Sequence, residues 1–229
     1  QSGQLENLRE SVVLLKGARH AGFERLLESL SYKVHTTTLE VNLEAIRQNL
    51  RHYRSMLQPG TKMVCMIKAS AYGMGSVEVA KTLADSGVDY LAVAVADEGV
   101  ALRQAGITSP IMVMNPEPSA FTSLFVNHLE PEVYSFDLLE RLIDAAEIAG
   151  IKRFPIHLKF DTGMTRFGFS PETDVQKLIE SLQNQTTFEV RSVFTHFVGS
   201  DSLEFDDFTK VQFSRLNLVR EQLQAVFSN

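Results

Sequence analysis

The sequence has little of what marks exported, membrane-bound or nucleic-acid-binding proteins. Its 229 residues include one cysteine, Cys65, so no internal disulfide can form, and we expect a cytoplasmic protein. No apolar run approaches the roughly 20 residues that span a bilayer, and residues 1–10 are polar where a signal peptide would be apolar. Lys and Arg number 22 against 28 Asp and Glu and are scattered. We therefore expect no membrane or nucleic-acid partner.

Short apolar runs alternate with helical patterns along most of the chain. Runs that are apolar on both faces indicate parallel strands covered by helices, and a repeat of about 20 to 35 residues is typical of a (β/α)8 barrel. A doubly wound open sheet shares this rhythm, but no G-x-G-x-x-G turn follows the first strand, which favours the barrel. The six predicted strands cover residues 62–68, 90–95, 110–114, 128–135, 155–160 and 190–197.

The ends of the chain complicate this barrel. Residues 36–57 predict a strand that leads into an amphipathic helix. A long helix is predicted near the other end, and six apolar residues are expected to form its buried stripe. Six βα units are visible where closure requires eight, so we expect an incomplete barrel. The predicted stripe consists of Phe208, Val211, Leu216, Val219, Leu223 and Val226.

Lys68 stands at the exit of the most apolar strand, in the stretch MVCMIKASAYGMG (63–75). In a parallel barrel the carboxyl ends of the strands form the active-site mouth, so Lys68 is expected to project there. Such a lysine is either a nucleophile that condenses with a carbonyl or a structural or phosphate-binding cation. Partial burial beside the apolar strand would favour the neutral, nucleophilic amine.

The residues after Lys68 carry a family resemblance. KASAYGMG (68–75) is similar to the K-A-N-A-Y-G-H-G signature of alanine racemases, which use pyridoxal 5'-phosphate (PLP). The same family is resembled by TTLEVNLEAIRQNL (37–50), AVADEGVALRQAGI (94–107), HLKFDTGMTRFGF (157–169) and FTHF (194–197). The resemblance covers residues 36–229 and implies the family's N-terminal PLP-binding barrel.

The resemblance assigns roles to five residues. Lys68 carries PLP as an internal aldimine and transfers the Cα proton on one face, while Tyr72 reaches the cofactor phosphate. His196 contacts the cofactor ring, and Arg166 lies near its phenolic oxygen and the substrate carboxylate. Lys159 aligns with a lysine that is carbamylated in many racemases and then holds that arginine. No metal is implied.

Structural alternatives stay open for these residues. Without the resemblance, His196 reads as a core histidine and Arg166 as a loop cation. An ordinary Lys159 paired with Asp161 would give the same sequence, and Asp161 is expected to cap the loop rather than react. Two positions depart from the family's wording: Met74 replaces a histidine, and Thr165 replaces a small residue before the arginine.

The resemblance also implies a second half of the site. In the family, the opposite-face base is a tyrosine from a C-terminal β-domain that acts across a dimer, and the last two barrel strands complete the phosphate cup. These parts are not in this sequence. We therefore expect a homodimer in the full-length protein, and we expect the 229-residue chain alone to be inactive.

The N-terminal residues resemble a different family. VVLLKGARHAGFERLLESL (12–30) is similar to the last strand and helix of the Mur ligase that joins D-alanyl-D-alanine to the UDP-muramoyl tripeptide. We therefore predict a ligase-like end at 1–33, a partial racemase barrel at 34–229, and a bifunctional protein that makes D-alanine for peptidoglycan.

Other readings of the sequence remain. One is a stand-alone alanine or serine racemase with an unusual leader. Another is a barrel aldolase or decarboxylase whose lysine forms a Schiff base, and a third is a non-catalytic PLP-binding barrel. Cofactor absorbance and the formation of D-amino acids by the full-length protein would separate them.

Overall fold

The computed structural model describes residues 38–183 and 185–227. The chain divides into two compact units, Gln1–Glu40 and Val41–Asn229. The second unit is the one described below, and the predicted ligase-like segment at 1–33 lies outside the described residues. No helix in the described ranges is long and apolar enough to cross a membrane.

Six strands form one parallel sheet, and each lies within or overlaps a run predicted from the sequence. Their short lengths and apolar, β-branched composition suit strands that are covered by helices. The strands are β1 Val64–Met66, β2 Tyr90–Val93, β3 Ile111–Val113, β4 Leu129–Val133, β5 Phe154–Lys159 and β6 Phe188–Phe194. All six predicted strands are confirmed.

Helices precede β1, connect successive strands and follow β6. The 13-residue helix between β4 and β5 begins at a side-chain cap, where Ser135 accepts a hydrogen bond from the Leu138 amide. The helices are α1 Leu43–Ser55, α2 Ser76–Asp85, α3 Ala96–Gln104, α4 Phe121–Val126, α5 Phe136–Ile148, α6 Val175–Gln183 and α7 Asp206–Phe227. A five-residue helical turn, Lys68–Tyr72, lies between β1 and α2.

The spatial order of the strands is their order in the sequence, β1 to β6. A doubly wound sheet reverses its order at a switch point, whereas a barrel wall winds in one direction throughout. The sequential order therefore confirms the barrel-type fold. Within the described residues, β1 and β6 each pair with one neighbouring strand, so the barrel is incomplete.

The core lies between the sheet and its helices. Alternate strand residues, among them Leu91, Ile111 and Leu158, are fully buried in the same cluster as helix residues such as Leu102 and Leu142. Removing such side chains from water is worth about 1.5–3 kcal/mol each. The other face of β4 and β5 is polar, because side chains alternate between the two faces of a strand.

Two predictions near the ends of the chain are wrong in detail. Residues 38–42 form no strand, since they pair with no strand in the described part of the chain. The predicted stripe of α7 is also displaced: Phe208, Val211 and Val226 are 38–46% exposed, whereas Gln212 is buried with Val219 and Leu223. The polar Gln212 occupies the inward position because its amide group makes hydrogen bonds there.

Candidate active site

Lys68 opens an unusual turn at the carboxyl end of β1. The strand ends at Met66, two residues earlier than the sequence predicts, and Ile67 is buried. The next residues, Ala69 to Tyr72, have φ between 51° and 57°, in the left-handed region. This conformation costs roughly 1–2 kcal/mol for each residue that is not glycine, so neighbouring groups must hold the turn in place.

Glu98 is one of the groups that hold this turn. Its Oε1 accepts a hydrogen bond from the Ala69 amide at 2.6 Å, and its Oε2 accepts one from the Ala94 amide at 2.8 Å. A single carboxylate thus joins the segments that follow β1 and β2. Glu98 had no role predicted from the sequence, although an acidic residue in the first turn of a helix is a recognisable signal.

The Lys68 and Tyr72 side chains are both exposed, Tyr72 by 62%. The partial burial that would favour the neutral amine of Lys68 is not seen, since this side chain is exposed. The apolar contacts belong to Ile67 and Ala71, while Lys68 projects beyond the strand end. Both polar groups are accessible to a ligand.

Arg166 lies in a tight loop that leaves and returns to the end of β5. The loop is closed by two backbone hydrogen bonds of 2.9 Å, from Asp161 to the Phe169 carbonyl and from Phe169 to the Lys159 carbonyl. Asp161 also accepts hydrogen bonds from the Gly163 and Thr165 amides, which confirms its predicted capping role. The Arg166 side chain is exposed.

A neighbouring aromatic pair supports the Arg166 loop. Tyr134 follows β4 and stacks on Phe167, with a centroid separation of 4.6 Å and an interplanar angle of 28°. The Tyr134 hydroxyl donates a hydrogen bond of 3.3 Å to Asn115, which follows β3. Groups from three strand ends are therefore linked around Arg166.

His196 follows β6 and is held by Gln212 of α7. The Gln212 amide nitrogen donates to the His196 carbonyl at 3.1 Å and to Thr162 Oγ1 at 3.2 Å. Its oxygen accepts a 3.0 Å hydrogen bond from the Val198 amide. Gln212 is fully buried and joins the loops after β5 and β6, a role that sequence analysis did not find.

Lys159, the last residue of β5, points to the polar face of the sheet. Its Nζ donates a 2.9 Å hydrogen bond to Oε1 of Glu132 in β4, and the two residues are 5% and 0% exposed. The partner of Lys159 is thus Glu132 and not the Asp161 that the sequence allows. Carbamylation of Lys159 stays a prediction.

The charges at this end of the sheet act on one another. Desolvation lowers the pKa of His196, and the positive charges of Arg166, Lys159 and Lys68 lower it further. These three cations, which lie at the ends of β1 and β5, are therefore close enough to His196 after β6 to act on its charge. A depressed pKa keeps the imidazole neutral near pH 7.

Burial acts on Glu132 in the opposite sense. It raises the pKa of Glu132 to about 7, although the hydrogen bond and charge of Lys159 and the charge of Arg166 oppose this rise. Near neutral pH the protonation of the Glu132 carboxyl group is therefore sensitive to any change in Lys159 or Arg166.

These contacts define a candidate site from β1, β5 and β6. The structure brings Lys68, Arg166 and His196 to the carboxyl ends of parallel strands, and Tyr72 lies in the same turn as Lys68. The groups comprise an amine, a guanidinium, an imidazole and a phenol, which suit an anionic carbonyl compound. The described residues contain no cluster of three His, Cys, Asp or Glu side chains that could hold a metal.

Comparison with known protein families shows which family this chain belongs to. The model of the alanine racemase N-terminal domain matches residues 41–228, which is most of the chain. The chain belongs to this family. The match begins just before α1 and contains every strand and helix described above.

Individual relatives agree with this assignment. The chain is similar to alanine racemase 1 of Oceanobacillus iheyensis, at 37% identity over 187 residues, covering 81% of this chain and 49% of that protein. An alanine racemase of Methanococcus maripaludis is 35% identical over 191 residues, covering 83% and 51%. This chain thus spans about half the length of the relatives that it matches.

Solved structures share the fold of this family member. An alanine racemase of Clostridium difficile 630 in complex with cycloserine has a TM-score of 0.76 at 36% identity, over 83% of this chain and 53% of that one. An alanine racemase of Bacillus anthracis with bound L-Ala-P has a TM-score of 0.72 at 30% identity, over 81% and 47%.

The charges around His196 give a testable pKa. We expect the pKa of His196 to lie below its ordinary value of 6.5, and we expect Arg166→Gln to raise it, because a neighbouring positive charge is removed. NMR titration of the protein labelled at its histidines would measure both values, with His196→Asn identifying the signal. Lys177→Gln is the matched control, since Lys177 is not among the cations that act on His196. An unchanged pKa in Arg166→Gln would contradict the proximity of the two groups.

Gly168 gives a second test, of the loop that carries Arg166. Its φ is +145°, and a Cβ there would lie 2.3 Å from the Asp161 amide nitrogen. We expect Gly168→Ala to lower the free energy of unfolding by about 1–3 kcal/mol more than Gly106→Ala. Gly106 has φ +87° and open space around its Cβ position, so its substitution tests backbone strain alone. Denaturant unfolding of the two variants measures the difference, and equal losses would argue against the close approach at Gly168.

Proposed function

We propose that this chain forms part of a PLP-dependent alanine racemase, which interconverts L-alanine and D-alanine in the cytoplasm. The observation that carries the proposal is the convergence of Lys68, Arg166 and His196 at the carboxyl ends of strands in a member of the alanine racemase family. Membership alone does not fix an activity, so the proposal depends on the chemistry of these side chains.

The donor set fits PLP on the features of this structure. Lys68 supplies an accessible primary amine for the cofactor aldehyde, and the exposed Tyr72 hydroxyl can donate to its phosphate. The neutral imidazole of His196 suits contact with the ring, because it adds no further charge beside the cations. Arg166 supplies a planar guanidinium for the phenolic oxygen and the substrate carboxylate.

The chemistry divides between cofactor and protein. When bound, PLP supplies the electron sink that stabilises negative charge at the substrate Cα. Lys68 Nζ removes or returns the Cα proton on one face, and Arg166 fixes the substrate carboxylate so that this proton faces Lys68. Among the described residues, we assign a proton-transfer group only to the face of the substrate Cα that Lys68 occupies.

The opposite face needs a second acid–base group. Racemisation removes a proton from one face and delivers one to the other, so a single base gives exchange without inversion. We propose that a residue from the remainder of the full-length protein, in a second subunit of a homodimer, supplies this group. The span of this chain, about half the length of its relatives, supports the proposal.

We further propose that D-alanine from this site supplies peptidoglycan synthesis within a fused ligase and racemase. The support is the resemblance of residues 12–30 to the end of a Mur ligase. The full-length protein should then join D-alanyl-D-alanine to a UDP-muramoyl tripeptide in an ATP-dependent reaction. If a pure, folded full-length protein racemises alanine but shows no ligase activity, the fusion proposal is rejected and the racemase proposal stands.

Lys68 is expected to be the lysine that links PLP. After borohydride reduction of the full-length protein with PLP, mass spectrometry should find the pyridoxyl group on the peptide that contains Lys68. Lys68→Arg should abolish this label while it preserves a positive charge. Labelling of Lys62, Lys81 or Lys159 in its place would refute the assignment.

The 229-residue chain alone is expected not to racemise alanine at a useful rate. The assay supplies excess PLP and L-alanine, follows D-alanine with a coupled oxidase, and compares this chain with the full-length protein. Comparable turnover would show that both acid–base groups lie within these residues, contrary to the proposed division. L-serine run in parallel distinguishes an alanine from a serine racemase. A full-length protein that binds PLP but forms no D-amino acid would be a carrier.

A further inference from the structure

Glu132 is a buried carboxylate with one oxygen in use and one oxygen free. Oε1 accepts the hydrogen bond from Lys159, whereas Oε2 is buried and has no hydrogen-bond partner among residues 38–183 and 185–227. Glu132 itself is 0% exposed, so water in the bulk solvent does not satisfy this oxygen. Buried polar atoms in native proteins are nearly always paired, and an unpaired one needs an explanation.

Arg166 is the candidate donor for this missing contact, because it is the second cation, besides Lys159, whose charge acts on Glu132. Its guanidinium makes no hydrogen bond or ion pair within the described part of the chain, although the loop around it is closed by Asp161 and Phe169. Its charge already acts on Glu132. A guanidinium has five N–H donors, so it can bind Glu132 on one side and still face an anionic ligand on the other.

We propose that Glu132 is a positioning residue that keeps Lys159 as an unmodified ammonium group and orients Arg166 through its second carboxylate oxygen. Only the role of Arg166 in binding a ligand rests on the proposed function. The contacts of Glu132 are independent of that function. Glu132 thereby supplies the negative charge that the family resemblance would take from a carbamate on Lys159.

A carbamate and this ion pair exclude each other on physical grounds. Carbamylation requires the ammonium group to lose one proton; the neutral amine then adds to the carbon of CO2 and releases a second proton, so that a cation becomes an anion. Glu132 Oε1 accepts a hydrogen bond of 2.9 Å from that nitrogen. When Glu132 is ionised, a carbamate would place two negative groups side by side in a buried, weakly screened environment.

The first arm of the test detects the carbamate directly. The full-length protein is equilibrated with 13C-labelled bicarbonate, and its 13C NMR spectrum is compared with that of Lys159→Arg, which keeps a cation but cannot be carbamylated. We expect no signal that depends on Lys159. A carbamate signal lost in Lys159→Arg would overturn the proposal. This readout needs neither PLP nor activity, so its failure is distinct from failure of the proposed function.

The second arm tests whether Glu132 acts through Arg166. PLP binding is titrated by absorbance for Glu132→Gln, with Arg166 present and in an Arg166→Lys background. We expect a loss of affinity on the order of tenfold in the first case and little further loss in the second, because the two residues act as one unit. Equal losses in both backgrounds would show that Glu132 does not act through Arg166 and would overturn this part of the proposal.

Two further variants separate positioning from folding. Glu130→Gln is the matched control, because Glu130 is the neighbouring carboxylate on the same face of β4 and bonds to His157 rather than to Lys159. It should leave PLP affinity unchanged. Glu132→Asp retains the charge and should recover part of the lost affinity, with thermal melting confirming that each variant is folded. A loss of affinity in Glu132→Asp equal to that in Glu132→Gln would contradict a role for the carboxylate charge.

Discussion

The ion pair between Glu132 and Lys159 is the contact on which the candidate site depends. Transfer of two ionisable groups from water into the interior costs several kcal/mol for each ion, and their hydrogen bond offsets this cost only if the geometry is good. The parallel pairing of β4 with β5 provides that geometry, since Glu132 lies opposite His157 and within hydrogen-bond distance of Lys159. Any shift of one residue in this register would separate the two charges.

The buried pair also sets the electrostatics of the layer above it. Lys68, Lys159 and Arg166 place three positive charges near one end of the sheet, and Glu132 supplies buried negative charge there in its ionised form. The excess of cations favours an anionic ligand at the strand ends. The same excess disfavours protonation of His196, so the imidazole can approach a ligand without adding repulsion. A cationic site with a neutral histidine is therefore a consequence of the packing.

Sequence reasoning succeeded where the chain's own periodicity carried the information. The apolar runs located all six strands, and parallel order then placed the residues after β1, β5 and β6 at one end. It failed for groups whose roles depend on distant partners. Gln212 makes a hydrogen bond to Thr162, fifty residues away in the sequence, and Glu132 in β4 accepts one from Lys159 in the neighbouring strand β5. The left-handed turn after Lys68 was also missed, because Ala, Ser and Tyr ordinarily avoid that conformation.

The central claim is that Lys68, Arg166 and His196 face one site supported from below by Glu132 and Lys159. A crystal structure of the full-length protein after borohydride reduction with PLP tests this most directly. The account predicts a pyridoxyl group on Lys68, with Arg166 and His196 in contact with it and an unmodified Lys159 bonded to Glu132. A structure that placed Arg166 or His196 at the amino ends of the strands would contradict the account.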